Sequence, residues 1–165
     1  MPKVAVVMGS HKDFSAVEPC IKQLAALGIE VEARVLSAHR TPEEAAAFAR
    51  LAQENGIEVI IAAAGKAAHL AGAMAANTTL PVIGVPIKSS TLDGLDALLS
   101  TVQMPPGMPV ATVAIDGAKN AALLAAQIIA VEDTALAERL MADREATKAK
   151  ILEKDARISA EFAEQ

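Results

Sequence analysis

"LPVIGVPI", residues 80–87, decides the fold class. The run carries no polar side chain, and a strand that is apolar at every position is buried on both faces, as strands are in a parallel sheet. Upstream, "IEVIIAAA" (57–64) reads as another buried strand. "IEVEARVL" (29–36) instead alternates charged with branched residues, the pattern of a sheet-edge strand with one wet face. "KVAVVM" (3–8) is a short β-branched run ending at Gly9, and downstream "PVATVAI" (109–115) is again nearly continuous apolar sequence.

The segments between these runs have helical spacing. Ser15 and Glu18 are spaced as a capping box, Pro19 falls in the first turn where its missing N–H is harmless, and Gly28 stops the helix. Thr41-Pro42-Glu43-Glu44 is a second capping box, opening a helix that runs to Asn55-Gly56. Further helices are predicted over 68–77, 92–102 and 117–131. Strands alternating with helices require right-handed crossovers, so the expected fold is α/β: a three-layer α/β/α sandwich around a five-stranded parallel sheet of flavodoxin-like order. Beyond Asp133 the pattern becomes one long, charged amphipathic helix with Leu136, Leu140, Ile151 and Leu152 among its apolar positions. The expected organisation is therefore an α/β domain over 1–131 and a helical extension over 132–165, packed on that domain or on a neighbouring subunit.

The chain of 165 residues is 53% hydrophobic, and much of that content is alanine, which lets layers approach closely. A formal net charge of -5 and 2% aromatic residues provide neither the basic stripe nor the stacking platform of a nucleic-acid binder. Gly, Pro or Lys interrupts every apolar run well before the ~18 residues of a membrane span. "MPKVAVVMGS" enters a strand at once, leaving no room for a signal peptide. Cys20 is the sole cysteine, so no internal disulfide forms and a reducing cytoplasm fits. Cys20 itself reads as a small packed residue.

In an open parallel sheet ligands bind beyond the carboxyl ends of the strands. That rule selects the loops Gly9–Phe14, Ser37–Thr41, Ala64–Gly72 and Lys88–Thr91. The chain's 3 histidines, His11, His39 and His69, all fall in the first three of them. "GSHKD" (9–13) offers backbone N–H groups, the Ser10 hydroxyl and the Asp13 carboxylate, a set suited to a phosphate or sugar or to a plain capped turn. In "SAHR" (37–40), Arg40 can grip a carboxylate or phosphate through two N–H groups, and Ser37 can orient a ligand. The helix start and Arg40 both disfavour imidazolium at His39, leaving a neutral ring able to accept and return a proton. "AAGKAAHLAG" (63–72) sets Lys66 and His69 among small residues that allow close backbone approach to a ligand. Met104 and Met108 in "QMPPGMP" can cover a planar ring or fill a contact between subunits. No His, Cys and carboxylate group has metal-ligand spacing, which points to proton transfer on an anionic small molecule without metal or cofactor.

"VVMGSHKD", "VLSAHRTPEE", "AAAGKAAHLAG", "LPVIGVPI", "LLSTVQMPPGMPVATVAI" and "AKNAALLAAQI" resemble, in order and spacing, the class I N5-carboxyaminoimidazole ribonucleotide mutases, or PurE proteins. The resemblance covers about residues 3–131. It implies a cofactor-free homo-octamer of purine (IMP) biosynthesis that moves CO2 from the exocyclic nitrogen of a ribonucleotide to ring carbon C4. It also implies Gly9, Ser10 and Asp13 at the phosphate and ribose, Arg40 on the phosphate, Ser37 at the ligand, and His39 as proton shuttle. Gly65, Ala67, Ala68 and His69 would surround the base and the CO2. The chain departs from the family pattern at Lys12, where Ser or Thr is usual, at Lys66 and Ala63, where Gly is usual, and at Ala71, where Pro is usual. Two other readings remain: a direct carboxylase of aminoimidazole ribonucleotide, which the "SAHK" pattern of class II relatives would favour, and a non-catalytic ribonucleotide-binding module.

Overall fold

The computed structural model describes residues 1–163. Five strands, β1 (Lys3–Met8), β2 (Glu30–Val35), β3 (Val59–Gly65), β4 (Val82–Ile87) and β5 (Ala111–Thr112), form one sheet in the order β2-β1-β3-β4-β5. Every pairing is parallel. Six helices connect and follow them: α1 (Phe14–Ala26), α2 (Pro42–Leu51), α3 (Leu70–Ala75), α4 (Leu95–Val102), α5 (Ala118–Ile129) and α6 (Thr134–Phe162). The three-layer sandwich and its flavodoxin-like order are as the sequence predicts.

Strand alternation sorts the two cores. Val4, Val6 and Met8 of β1 pack with Val17, Cys20 and Leu24 of α1 and with the alanines of α5. Ala5 and Val7 face the other way, onto Phe48 of α2 and Leu70 and Met74 of α3. Ala121, Ala122, Ala125 and Ala126 are fully buried, so α5 lies close against the sheet because no long side chain holds it off. Gly84 does the same for α4: a Cβ there would collide with Thr101 Cγ2 and come within 3.0 Å of Val110 Cγ1. Cys20 is buried, and burial pushes its thiol up to about 12.

Several boundaries differ from the sequence reading, each for a local reason. The 15–18 capping box is not formed, because a 3-10 turn at His11–Asp13 runs directly into α1 and Ser15 is already helical. Pro19 consequently lies inside the helix rather than in its first turn. Thr41 precedes α2 but does not cap it with its side chain; its Oγ1 turns back to Ser37. α2 ends at Leu51, and turns carry the chain to Gly56 at φ 77°. α4 starts at Leu95, after a 3-10 turn in which Leu92 and Asp93 have positive φ. β5 pairs over only two residues instead of spanning 109–115, and Ala111 is exposed, so this edge strand is not buried on both faces.

Beyond the sheet, Asp133 Oδ1 accepts the Leu136 N–H at 2.9 Å and caps α6. Leu136 is buried, and Arg139 Nε donates to the Leu27 carbonyl at the end of α1. Farther along α6, Met141, Ile151, Leu152, Ile158 and Phe162 are exposed. The last two residues of the expected 132–165 extension lie outside the described residues. Among the described residues, no helix is long and apolar enough to cross a membrane.

Candidate active site

Strand order reverses direction at β1, between β2 and β3, so the loops leaving these strands diverge there and open a cleft. The cleft encloses about 620 Å3 and is lined from four loops at the carboxyl edge of the sheet. These are the four that the sequence selects.

The first loop is tied down at its start by the Gly9 N–H, which donates to Ala63 O of β3 at 3.0 Å. Ser10 Oγ accepts the Lys12 N–H at 3.3 Å, and the Asp13 N–H donates to Ser10 O at 3.0 Å, shaping the 3-10 turn. Asp13 is half-buried, and its carboxyl is raised above the ordinary range, chiefly by desolvation. A backbone hydrogen bond at Ser10 opposes that shift, and the nearby charge of Asp116 adds to it.

The second loop is organised by Ser37. Its Oγ accepts the N–H groups of His39 (3.3 Å) and Arg40 (3.0 Å), while its own N–H donates to Thr41 Oγ1 at 2.8 Å. Ser37 therefore fixes the direction in which His39 and Arg40 leave the backbone. Both of these are exposed at the cleft.

The third loop brings His69 to His39. His69 Nδ1 and His39 Nε2 are 2.7 Å apart, with the rings edge to face at 89°. Two imidazolium rings would oppose N–H to N–H at this distance, so the contact holds a single N–H between the rings. Gly65, Lys66 and Ala67 also line the cleft. Ala68 is buried instead: its N–H donates to Ser100 Oγ at 2.9 Å, and its carbonyl lies 3.4 Å from the hydroxyl of Thr101. It anchors the loop to α4 and does not face the cleft.

Sequence reasoning missed Asp116. Its Oδ1 accepts the Lys88 N–H at 2.9 Å, which joins the loop after β4 to the chain after β5. The edge rule that selects the other loops extends to the end of the fifth strand and would have found it. Lys88 and Ser89 line the cleft, and Lys88 pairs with Asp93 at 3.3 Å. Met104 packs on Gly72 of α3 and Met108 is exposed; neither lines the cleft within this chain.

Backbone strain concentrates at the same edge. Among the described residues, the non-glycine residues with positive φ are Lys66, Leu92, Asp93 and Asp116, in the segments following β3, β4 and β5. Such conformations cost about 1–2 kcal/mol each and cluster at functional sites. Charge concentrates there too: Lys12, Arg40, Lys66 and Lys88 line the cleft with Asp13 as the acidic group, in a chain of formal net charge -5. The arrangement suits a small anion with a proton-transfer centre at its middle.

A family model described as AIR carboxylase matches residues 3–150. The chain belongs to the AIR carboxylase family. Among its relatives, the N5-carboxyaminoimidazole ribonucleotide mutase of Pyrococcus abyssi is 57% identical over 90% of this chain and 85% of its own. The mutase of Saccharolobus solfataricus is 59% identical over 85% of this chain and 89% of its own. The crystal structure of Treponema denticola PurE superposes with a TM-score of 0.84 at 31% identity, covering 95% of this chain and 98% of that one.

Within this family the departures acquire a structural meaning. Lys66 sits at φ 55°, where a glycine would be free of strain and lysine is not. Ala63 and Ala71 are both buried without positive φ, and alanine fits both positions.

Proposed function

We propose that this chain is an N5-carboxyaminoimidazole ribonucleotide mutase of purine (IMP) biosynthesis, an isomerase that transfers a carboxyl group within its substrate. The observation that carries the reading is His39, held against His69 in a cationic cleft, in a chain 50–59% identical to several mutases. Arg40, Ser10 and Gly9 bind the phosphate, and Asp13 accepts from the ribose. Gly65, Ala67 and His69 flank the base, Ala68 supports their loop from behind, and Ser37 sets the rotation of His39 and Arg40.

In the reaction, His39 enters as the imidazolium beside a neutral His69, unlike the neutral ring suggested by its loop sequence, and gives its proton to N5 as the N5–carboxyl bond breaks, leaving aminoimidazole ribonucleotide and CO2. The base reorients, C4 attacks the CO2 carbon, and His39 takes the proton that C4 loses. His39 ends as it began, so the net change is an isomerisation that needs neither metal nor cofactor. Free CO2 must be kept from escaping between the two steps, and a closed, dry site serves that end.

The protein works as a cytoplasmic homo-octamer of α/β catalytic domains (1–131), with the 132–165 extension contributing to assembly. Exposed Leu95, Leu99 and Val102 on α4, together with the apolar residues of distal α6, supply surface for such contacts. Light scattering should give eight times the chain mass of 17.0 kDa.

The decisive experiment offers purified protein N5-carboxyaminoimidazole ribonucleotide, and separately aminoimidazole ribonucleotide with bicarbonate. Rapid formation of the 4-carboxy product from the first alone supports the mutase. Equal use of the second supports direct carboxylation, the activity in the family's description. Inertness towards both supports a binding module.

A further inference from the structure

We propose that Lys66 is a specificity-determining residue that binds the substrate's migrating carboxylate, an assignment that rests on the mutase reading above. Three features of the structure converge on it. Lys66 lines the cleft three residues before His69, on the loop that meets His39. It therefore shares a loop with one ring of the histidine pair, whereas Ser10 and Lys12 belong to the turn at Gly9–Asp13. Among the described residues, no carboxylate lies within ion-pair distance of Lys66, while Lys88 on the next loop is paired with Asp93.

The backbone makes the choice of lysine costly. Lys66 has φ 55°, a conformation in which glycine is unstrained and every other residue is penalised. The strain is held in place: the Lys66 carbonyl lies 3.2 Å from Ser100 Oγ, which also accepts the Ala68 N–H. A strained cation without an acidic partner, lining the cleft on the loop that carries His69, is a site that awaits an anion. The anion that separates substrate and product from the decarboxylated intermediate is the carboxylate. An ammonium group there favours both carboxylated nucleotides over aminoimidazole ribonucleotide.

Calorimetry with 4-carboxy-5-aminoimidazole ribonucleotide and with aminoimidazole ribonucleotide tests this on the wild type and on Lys66→Met, Lys66→Gly and Lys66→Arg. We expect Lys66→Met and Lys66→Gly to weaken binding of the carboxylated nucleotide by about three- to ten-fold, with the decarboxylated one changed less than about two-fold. Lys66→Arg should restore the discrimination, and added salt should shrink it in the wild type. Equal weakening of both nucleotides would put the charge on the shared phosphate and overturn the assignment. So would unchanged binding of the carboxylated nucleotide by Lys66→Met and Lys66→Gly when the wild type turns the substrate over. A wild type that binds neither nucleotide overturns the mutase reading itself, and this assignment with it.

Discussion

His39 Nε2 and His69 Nδ1 meet at 2.7 Å although 30 residues separate them in the chain. One ring follows β2 and the other precedes α3, and they come together across the end of β1, which lies between β2 and β3 in the sheet. The His39 ring is thus steadied by a second ring, while its backbone N–H is held by the Ser37 hydroxyl.

His39→Asn is expected to lower turnover by at least about 100-fold, the usual contribution of a positioned acid–base group. Binding of the 4-carboxy nucleotide should stay within a few-fold of wild type, because the proposed phosphate and ribose contacts lie on other residues. His69→Ala should cost less, about ten-fold in kcat, since it removes the partner and not the shuttle. Steady-state kinetics and calorimetry on both variants check this; near-normal turnover in His39→Asn would refute the shuttle.

Asp13 gives a pH-dependent stability effect of defined sign. Its carboxyl is raised above the ordinary 3.8, chiefly by burial, so the folded state disfavours the charged form. The resulting penalty is fully present above the folded-state value and vanishes as pH falls below 3.8. Asp13→Asn should therefore raise Tm at neutral pH, with the difference closing in acid, while activity falls if, as proposed, the charged carboxylate accepts from the ribose. Thermal melts from pH 3 to pH 8 measure it.

Lys66→Gly relieves a positive φ and should stabilise the fold by about 1 kcal/mol, even as it weakens carboxylate binding. Chemical denaturation reads the gain. A loss of stability would show that Lys66 makes contacts offsetting the strain.

Gly84→Ala should destabilise by about 1–3 kcal/mol, because the added methyl group collides with Thr101 Cγ2 and presses on Val110 and Ala71. The matching change Gly107→Ala meets no atom within 4 Å; there only its φ of 94° opposes the side chain. Comparing the two melts separates crowding in the core from backbone strain in a loop.

Cys20 should resist thiol reagents in the native protein, since it is buried and its thiol is held at about 12. Modification at the rate of global unfolding is expected, and rapid labelling of native protein would contradict the packing of α1.

Much of this protein is legible in its local patterns. The period of apolar residues in 57–64 and 80–87 marks buried parallel strands, the charges of 29–36 mark an edge, and small polar residues after each strand mark the ligand side. Those signals are carried by neighbours in the chain, which is why they survive without knowledge of the fold. Other features depend on which segments come together. That Pro19 lies within α1 follows from a 3-10 turn running into the helix, and β5 pairs with β4 over Ala111–Thr112 alone. The buried position of Ala68 comes from Ser100 and Thr101 on α4, and the place of Asp116 comes from its hydrogen bond to Lys88. "SAHR" alone marks a histidine able to move a proton. Its partner, His69, emerges only once strand order sets the loops after β2 and β3 on either side of β1, because contacts between distant segments depend on register and packing rather than on local sequence.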